Sequence, residues 1–165
     1  MKNKSYINIT NEWKQSRTTN RHKVKERNFV RIDERIYKIS KSNKNVVFEK
    51  DIELLRPIAK WMSKTFGSKV YINPTVKVPE KIRTPDFTYK NEQWDLKTIL
   101  GNNLDYSVKK TKGQANNFIL DLTNSKLDFK EILNQLHRIY NSPYRKWVNI
   151  IIIKKGNTFN VYKRK

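Results

Sequence analysis

The spacing of hydrophobic and polar residues divides the chain into a polar first part and a second part with regular secondary structure. Within residues 1–45 the stretch "FVRIDERIYKI", at 29–39, alternates apolar and polar residues and predicts a small β-hairpin. From Val46 onward, apolar residues recur at helical or strand spacing. We therefore predict a basic, partly flexible N-terminal extension at 1–45 and a main domain at 46–165.

The main domain alternates predicted helices and strands. "FEKDIELLRPIAKWMSKTFG" has helical spacing and ends at Gly67, and Pro57 should either kink the helix or mark the first turn of a second one. "DFKEILNQLHRIY" is a second helix capped by Asp128, and "LDYSVKKTKGQANN" is compatible with a third. The predicted strands are "KVYIN", "TVKVP", "DFTYK", "QWDLKTIL", "FILDL", "WVNIIII" and "TFNVYKRK". Strands interrupted by helices predict an α/β fold, with a mixed central sheet flanked by helices.

Charge adds a candidate partner to this picture. The chain has 36 Lys and Arg against 15 Asp and Glu, a net charge of +21. Self-repulsion at this level destabilises a compact state unless a polyanion offsets it, and nucleic acid is the favoured polyanion. An anionic membrane surface, an acidic protein and a compositional bias toward Lys and Asn are the alternatives.

Several classes of site are excluded by composition. The chain has no cysteine and two histidines, which rules out disulfides, Cys-based zinc sites and multi-His metal sites. No apolar run approaches the roughly 18 residues that span a membrane, and we expect no signal peptide at the N-terminus.

Two aspartates and a lysine are the candidate chemistry. Asp95 and Lys97 lie two residues apart on a predicted strand and therefore share a face. Asp86 begins the preceding strand, and a turn near Lys90–Asn91 would place it opposite the region of Asp95. Two close carboxylates repel each other unless a cation lies between them, and Mg²⁺ prefers oxygen ligands. An ordinary charged surface hairpin is the alternative.

The same residues carry a resemblance to a known family. "PD" at 85–86 followed by "DLK" at 95–97 resembles the motif of PD-(D/E)xK nucleases. With "YINPTVKVPEKIRTPDFTYKNEQWDLKTI" and "KKTKGQANNFILDL", residues 46 to 163 resemble C-terminal nuclease domains of contact-dependent inhibition toxins. Relatives of those domains occur in phage and mobile-element proteins. The resemblance implies a restriction-endonuclease-like core, cleavage of tRNA or DNA with a divalent metal, and a cognate immunity protein.

The resemblance also implies roles for individual residues. Asp86 and Asp95 match the two acids of the motif, Lys97 its lysine, and Gln114 a glutamine near the metal or phosphate. Family members usually add a glutamate on the first helix, for which we choose Glu53, with Glu49 as the alternative. The predicted metal ligands are therefore Asp86, Asp95 and Glu53, binding Mg²⁺ or another divalent ion such as Mn²⁺ or Zn²⁺. The predicted nucleic-acid contacts are Lys109, Lys110 and Lys112.

These observations predict a metal-dependent nuclease that acts as a bacterial toxin domain, with tRNA as the first choice of substrate. Its expected site of action is the bacterial cytoplasm, reached from another cell or from a mobile element. Three alternatives stay open. They are a DNA endonuclease, a non-catalytic nucleic-acid-binding module with a degenerate nuclease core, and a basic structural protein of a phage or ribosomal particle.

Overall fold

A computed structural model describes residues 4–17, 23–48 and 52–165. It divides into a first unit, Met1–Gln15 with Asp95–Lys165, and a second unit, Ser16–Trp94. The helices are α1 Thr10–Gln15, α2 Ile52–Phe66, α3 Leu104–Lys109 and α4 Phe129–Asn141, followed by a 3-10 turn at Pro143–Arg145. The strands are β1 Tyr6–Asn8, β2 Val24–Glu26, β3 Phe29–Ile32, β4 Arg35–Lys38, β5 Val46–Val47, β6 Val70–Ile72, β7 Thr75–Val76, β8 Phe87–Tyr89, β9 Glu92–Thr98, β10 Asn117–Asp121, β11 Ile150–Lys155 and β12 Thr158–Arg164.

The first unit contains a mixed sheet in the strand order β1-β12-β11-β10-β9. β10 and β11 are parallel, while β12 is antiparallel to both β11 and β1. The run of isoleucines at 150–153 is buried because β11 is an interior strand. One face of α4, including Ile132, Leu136 and Ile139, packs in the same hydrophobic cluster as residues of β10 and β11.

Gln135 of α4 fixes the start of α3. Its side-chain oxygen accepts a hydrogen bond from the Leu104 amide at 2.8 Å, and its Nε2 donates to the Asn102 carbonyl at 2.6 Å. Gln135 is buried, so these contacts satisfy both ends of its amide. The contact between α4 and α3 therefore fixes the N-terminal end of α3.

The second unit has the strand order β9-β8-β6-β2, with β2 parallel to β6 and the other pairs antiparallel. α2 is amphipathic and packs against β6 and β2, and it ends where Gly67 takes a positive φ of 77°. The predicted hairpin at 29–39 is confirmed as β3 and β4, joined by the turn at Asp33–Glu34.

The predicted mixed α/β class is confirmed, with a large mixed sheet flanked by helices. The narrower assignment to a restriction-endonuclease-like core stays a prediction, as does the domain boundary at residues 45 and 46. The elements β1, α1 and β2 occur within the predicted N-terminal extension. Phe129 continues the helical spacing of the buried residues of α4, but it is the first residue of the helix and is 52% exposed. In the described ranges no helix is long and apolar enough to cross a membrane.

Candidate active site

β9 carries the first two side chains of the candidate site. Asp95 is 1% exposed, and Lys97, two residues along the strand, places its Nζ 3.0 Å from Asp95 Oδ2. The Lys97 side chain is 30% exposed, so its stem is covered while the ammonium group reaches the carboxylate from the solvent side. The prediction that strand alternation places Asp95 and Lys97 on one face is thus confirmed.

Gln114 brings a third group to Asp95 from a different part of the first unit. The chain turns after α3, with the Gln114 amide donating to the Thr111 carbonyl at 2.9 Å. This turn directs the Gln114 side chain so that its Nε2 donates to Asp95 Oδ1 at 2.9 Å. The buried Thr111 closes the turn through its hydroxyl, which donates to the Val108 carbonyl at 2.7 Å.

The two oxygens of Asp95 have different surroundings. Oδ1 accepts the Gln114 hydrogen bond, whereas Oδ2 makes an ion pair with Lys97 and accepts no conventional hydrogen bond from the described part of the chain. A buried carboxylate is costly unless its charge is matched and its lone pairs are used. Asp95 Oδ2 therefore keeps capacity for a further cationic or hydrogen-bonding group.

The carboxylate of Asp95 is the type of ligand that a hard divalent cation prefers. Mg²⁺ is commonly held by one or two carboxylates together with waters and substrate phosphates, and amide oxygens also serve hard cations. Asp95 Oδ2 and the side-chain oxygen of Gln114 are groups of this kind. Across residues 4–17, 23–48 and 52–165, no three His, Asp or Glu side chains form a group that could hold a metal ion.

Asp86 lies in the second unit, directly before β8, and is half-buried. It borders a recess of about 20 Å³, with room for about one water molecule, beside Ile52, Leu55 and Thr84. Asn73 holds this segment in place. The Asn73 backbone N–H donates to the Asp86 carbonyl at 2.9 Å. Its side-chain Nδ2 donates to the Pro85 carbonyl at 3.2 Å.

Asn73 is a positioning residue that sequence reasoning missed. It is buried, and its Oδ1 also accepts a hydrogen bond from the Thr88 hydroxyl at 3.1 Å. The signal in the sequence is a polar amide at the end of an apolar strand, in "VYINP". Such a residue is a natural anchor for the backbone of a neighbouring strand.

Glu53 lies on the exposed side of α2 in the second unit, with its side chain 74% exposed. It forms an ion pair with Arg56 one helical turn later, and Arg56 also pairs with Glu26 of β2. These hydrogen bonds raise the pKa of Arg56, chiefly through Glu26. Glu49, the alternative to Glu53, lies outside the described residues.

The three lysines predicted to contact nucleic acid are exposed at the end of α3 in the first unit. Lys109 ends the helix, Lys110 places its Nζ 4.2 Å from the centre of the Tyr106 ring, and Lys112 lies in the turn that leads to Gln114. The turn thus presents lysines to solvent on one side and Gln114 to Asp95 on the other.

This geometry coincides with a match to a protein family. Residues 83–159 match the family described as "Contact-dependent growth inhibition CdiA C-terminal domain". The matched region is just under half of the chain and contains Asp86, Asp95, Lys97 and Gln114, whereas Glu53 lies outside it. The predicted resemblance to contact-dependent inhibition toxins is therefore confirmed for this region, and the PD-(D/E)xK nuclease type stays a prediction.

Two other comparisons complete the picture. A solved structure of a CdiA-CT/CdiI toxin and immunity complex from Burkholderia pseudomallei aligns with 73% of this chain and 96% of that chain. The sequence identity is 19% and the TM-score is 0.45, values that support no conclusion about the candidate site. No curated protein matches the chain.

Proposed function

We propose that this chain is a metal-dependent nuclease that hydrolyses phosphodiester bonds and acts as a toxin domain. The observation that carries the proposal is the buried carboxylate of Asp95, held between Lys97 and Gln114, in a chain of net charge +21. The similarity of residues 83–159 to CdiA C-terminal domains supports the toxin role. RNA, with tRNA first, is the proposed substrate, and DNA is the alternative.

The residues around Asp95 have distinct tasks in this proposal. Asp95 Oδ2 would hold the divalent ion, and the family resemblance implies Asp86 and Glu53 of the second unit as further ligands. A bound divalent ion would supply positive charge to the pentavalent transition state and favour ionisation of the attacking water.

Lys97 and Gln114 prepare Asp95 and the reacting groups. The Gln114 hydrogen bond fixes the rotation of the carboxylate, so that Oδ2 keeps its orientation. Lys97 lies where an ammonium group can bind the scissile phosphate or orient the water that attacks phosphorus. The water oxygen gives up a proton to solvent and forms the new bond to phosphorus, while the bond to the leaving oxygen breaks and that oxygen takes up a proton from solvent.

The test is cleavage of tRNA and of plasmid DNA by the purified protein with Mg²⁺, compared with an Asp95→Asn variant. We expect Asp95→Asn to lower the rate by at least about 100-fold, because loss of the proposed metal ligand removes charge stabilisation of several kcal/mol. Asp128→Asn is the matched control, because Asp128 caps α4 at the Glu131 amide and Asn keeps that capping ability. Full activity of Asp95→Asn, or cleavage unaffected by EDTA, would reject the proposed mechanism.

The toxin role has a separate test in cells. We expect induced expression in a bacterium to arrest growth, and Asp95→Asn to relieve the arrest at equal protein level. A cognate immunity protein, proposed from the family resemblance, would restore growth when expressed together with the wild-type chain. Arrest that persists with Asp95→Asn would separate toxicity from the Asp95 site.

A non-catalytic nucleic-acid-binding module is the second candidate, favoured by one observation. Glu53, the proposed third carboxylate, is engaged by Arg56 and largely exposed. A module of this kind would bind nucleic acid tightly but show no turnover with Mg²⁺, Mn²⁺ or Zn²⁺.

A further inference from the structure

We propose that a groove in the first unit binds an unpaired nucleotide segment, with a base stacked on Tyr144 and flanking phosphates on lysines. The groove is lined by Lys109, Lys112, Tyr144, Arg145, Lys146 and Trp147, and we call it the lysine–aromatic groove. The inference deepens the proposed nuclease function and rests on it for the identity of the strand as substrate. It adds a subsite and a preference for single-stranded over paired nucleic acid.

The aromatic part of the groove is unusually open to solvent. Tyr144 is 77% exposed on the 3-10 turn, although a tyrosine ring loses favourable burial in that position. Trp147 is anchored, since its ring packs edge-on against Phe118 of the core at 5.8 Å. An exposed ring beside an anchored indole is a surface on which a flat base can stack.

The turn that carries Tyr144 is held rigidly. Arg145 donates two hydrogen bonds to the Asp105 carboxylate of α3, from Nε to Oδ1 at 2.8 Å and from Nη2 to Oδ2 at 3.0 Å. The Trp147 indole N–H donates to the Tyr144 carbonyl at 3.1 Å, and Arg164 donates to the Arg145 carbonyl at 2.7 Å. A platform fixed in this way loses little conformational entropy when a ligand binds.

The charge of the groove matches a phosphate backbone. Its described lining includes the three lysines Lys109, Lys112 and Lys146 and no carboxylate, while the charge of Arg145 is matched by Asp105 outside the lining. Phosphate contacts of lysine supply affinity without sequence preference, and stacking on the aromatic rings is equally tolerant of sequence. An acidic protein segment would satisfy the lysines but would make no use of the exposed ring.

The groove is connected to the candidate active site by one short turn. Lys112 lines the groove, and Gln114, two residues later, donates to Asp95. Two residues span at most about 7 Å of chain, so one strand of nucleic acid can contact both places. A base in a double helix is not available for stacking, which is why we infer a preference for unpaired segments.

The experiment measures binding and cleavage separately. A short fluorescein-labelled RNA of mixed sequence, single-stranded or annealed to its complement, is titrated by anisotropy against the Asp95→Asn chain, which under the proposed function cuts it far more slowly than the wild type. We expect the single strand to bind more tightly. Adding Tyr144→Ala should weaken single-strand binding by about 5- to 150-fold, the effect of losing one stacked base. Tyr144→Phe should bind like the parent.

The matched controls lie on α4, outside the lining of the groove. Phe129→Ala removes another exposed aromatic ring, and Lys130→Ala removes another exposed lysine. We expect neither to change affinity, while Lys146→Ala should reduce the salt dependence of single-strand binding by about 0.7 in the log–log slope. Equal affinity of Tyr144→Ala and its parent, equal binding of paired RNA, or full competition by polyglutamate would overturn the inference.

Cleavage assays separate this inference from the proposed function. If the wild-type chain cuts nothing yet Tyr144→Ala loses single-strand binding, the nuclease proposal fails and the groove stands. If cleavage depends on Asp95 but Tyr144→Ala binds and cuts like wild type, the groove fails and the nuclease proposal stands.

Discussion

At the scale of single residues, the burial of Asp95 is the feature with the largest energetic consequence. A carboxylate that is 1% exposed depends on the ammonium of Lys97 at 3.0 Å and on the amide of Gln114 at 2.9 Å. Strand alternation was sufficient to predict the contact with Lys97, because it depends on neighbours two apart. The contact with Gln114 joins residues 19 apart, so no local pattern reveals it, and the family resemblance implied only that Gln114 lies near the metal or the phosphate.

The pairing of Asp95 with Lys97 leads to a prediction about stability. Removing the amine by Lys97→Met leaves a buried charge without its partner, which should lower the free energy of unfolding by an amount near the low end of ~3–5 kcal/mol. The low end applies because Lys97 is partly exposed. Adding Asp95→Asn to Lys97→Met should recover most of that loss, as measured by urea unfolding of the four proteins of the cycle.

Additive effects of the two substitutions would contradict this prediction. Additivity would mean that Asp95 draws its stabilisation from groups other than Lys97. The matched control is a cycle of Asp105→Asn with Arg145→Met, an ion pair whose carboxylate is 45% exposed. There we expect a smaller coupling, since solvent screens the charge that is left behind.

At the scale of elements, the hairpin of β8 and β9 shows both the reach and the limit of sequence reasoning. The alternation of residues 86–100 and the polar pair Lys90–Asn91 were enough to predict two strands and the turn between them. The short strand β1 was missed because three residues with one buried side chain give no periodic signal. It exists because the edge of β12 offers it backbone hydrogen bonds, a tertiary effect that local propensity does not contain.

The same hairpin gives a prediction about its turn. Lys90 and Asn91 both have positive φ, 50° and 60°, which is the geometry of a type I′ turn. We expect the free energy of unfolding to follow the order Gly, Asn, Ala at position 91, with Ala about 1 kcal/mol below Gly, because a Cβ is strained in the left-handed region. Thermal and urea unfolding of Asn91→Gly and Asn91→Ala would measure this order.

An Asn91→Ala chain as stable as Asn91→Gly would contradict the turn geometry. It would indicate that the two strands are joined by a different connection. Lys44→Ala serves as a comparison, because it replaces an exposed polar residue of the same unit that has ordinary negative φ. We expect that change to have little effect on unfolding.

At the scale of the whole molecule, the net charge follows from composition alone. The ion pairs that individual charged residues form do not. The pair of Arg56 with Glu53 could have been anticipated from their spacing of three residues on a helix. Arg145 with Asp105 joins residues 40 apart and required the fold. A net charge of +21 leaves a large excess of cations after any such pairing, since the chain has 15 acidic residues for 36 basic ones.

This excess predicts opposite effects of salt on folding and on binding. Raising NaCl should increase the melting temperature of the chain, because screening weakens the repulsion among lysines and arginines within a Debye length of about 10 Å at 0.1 M. The same salt should weaken binding of single-stranded nucleic acid, with a log–log slope of about −0.7 per phosphate contact. Circular dichroism and anisotropy over one salt series would measure both.

The prediction concerns the sign of each effect. Repeating the series with sodium fluoride in place of NaCl separates general screening from binding of chloride to the protein. A melting temperature that does not move with salt would mean that the positive charge is spread too thinly to destabilise the fold. Binding that is insensitive to salt would mean that phosphate contacts contribute little. If both effects have the expected sign, the chain is least stable at low salt. Nucleic acid then binds most tightly under the conditions in which its binding stabilises the protein most.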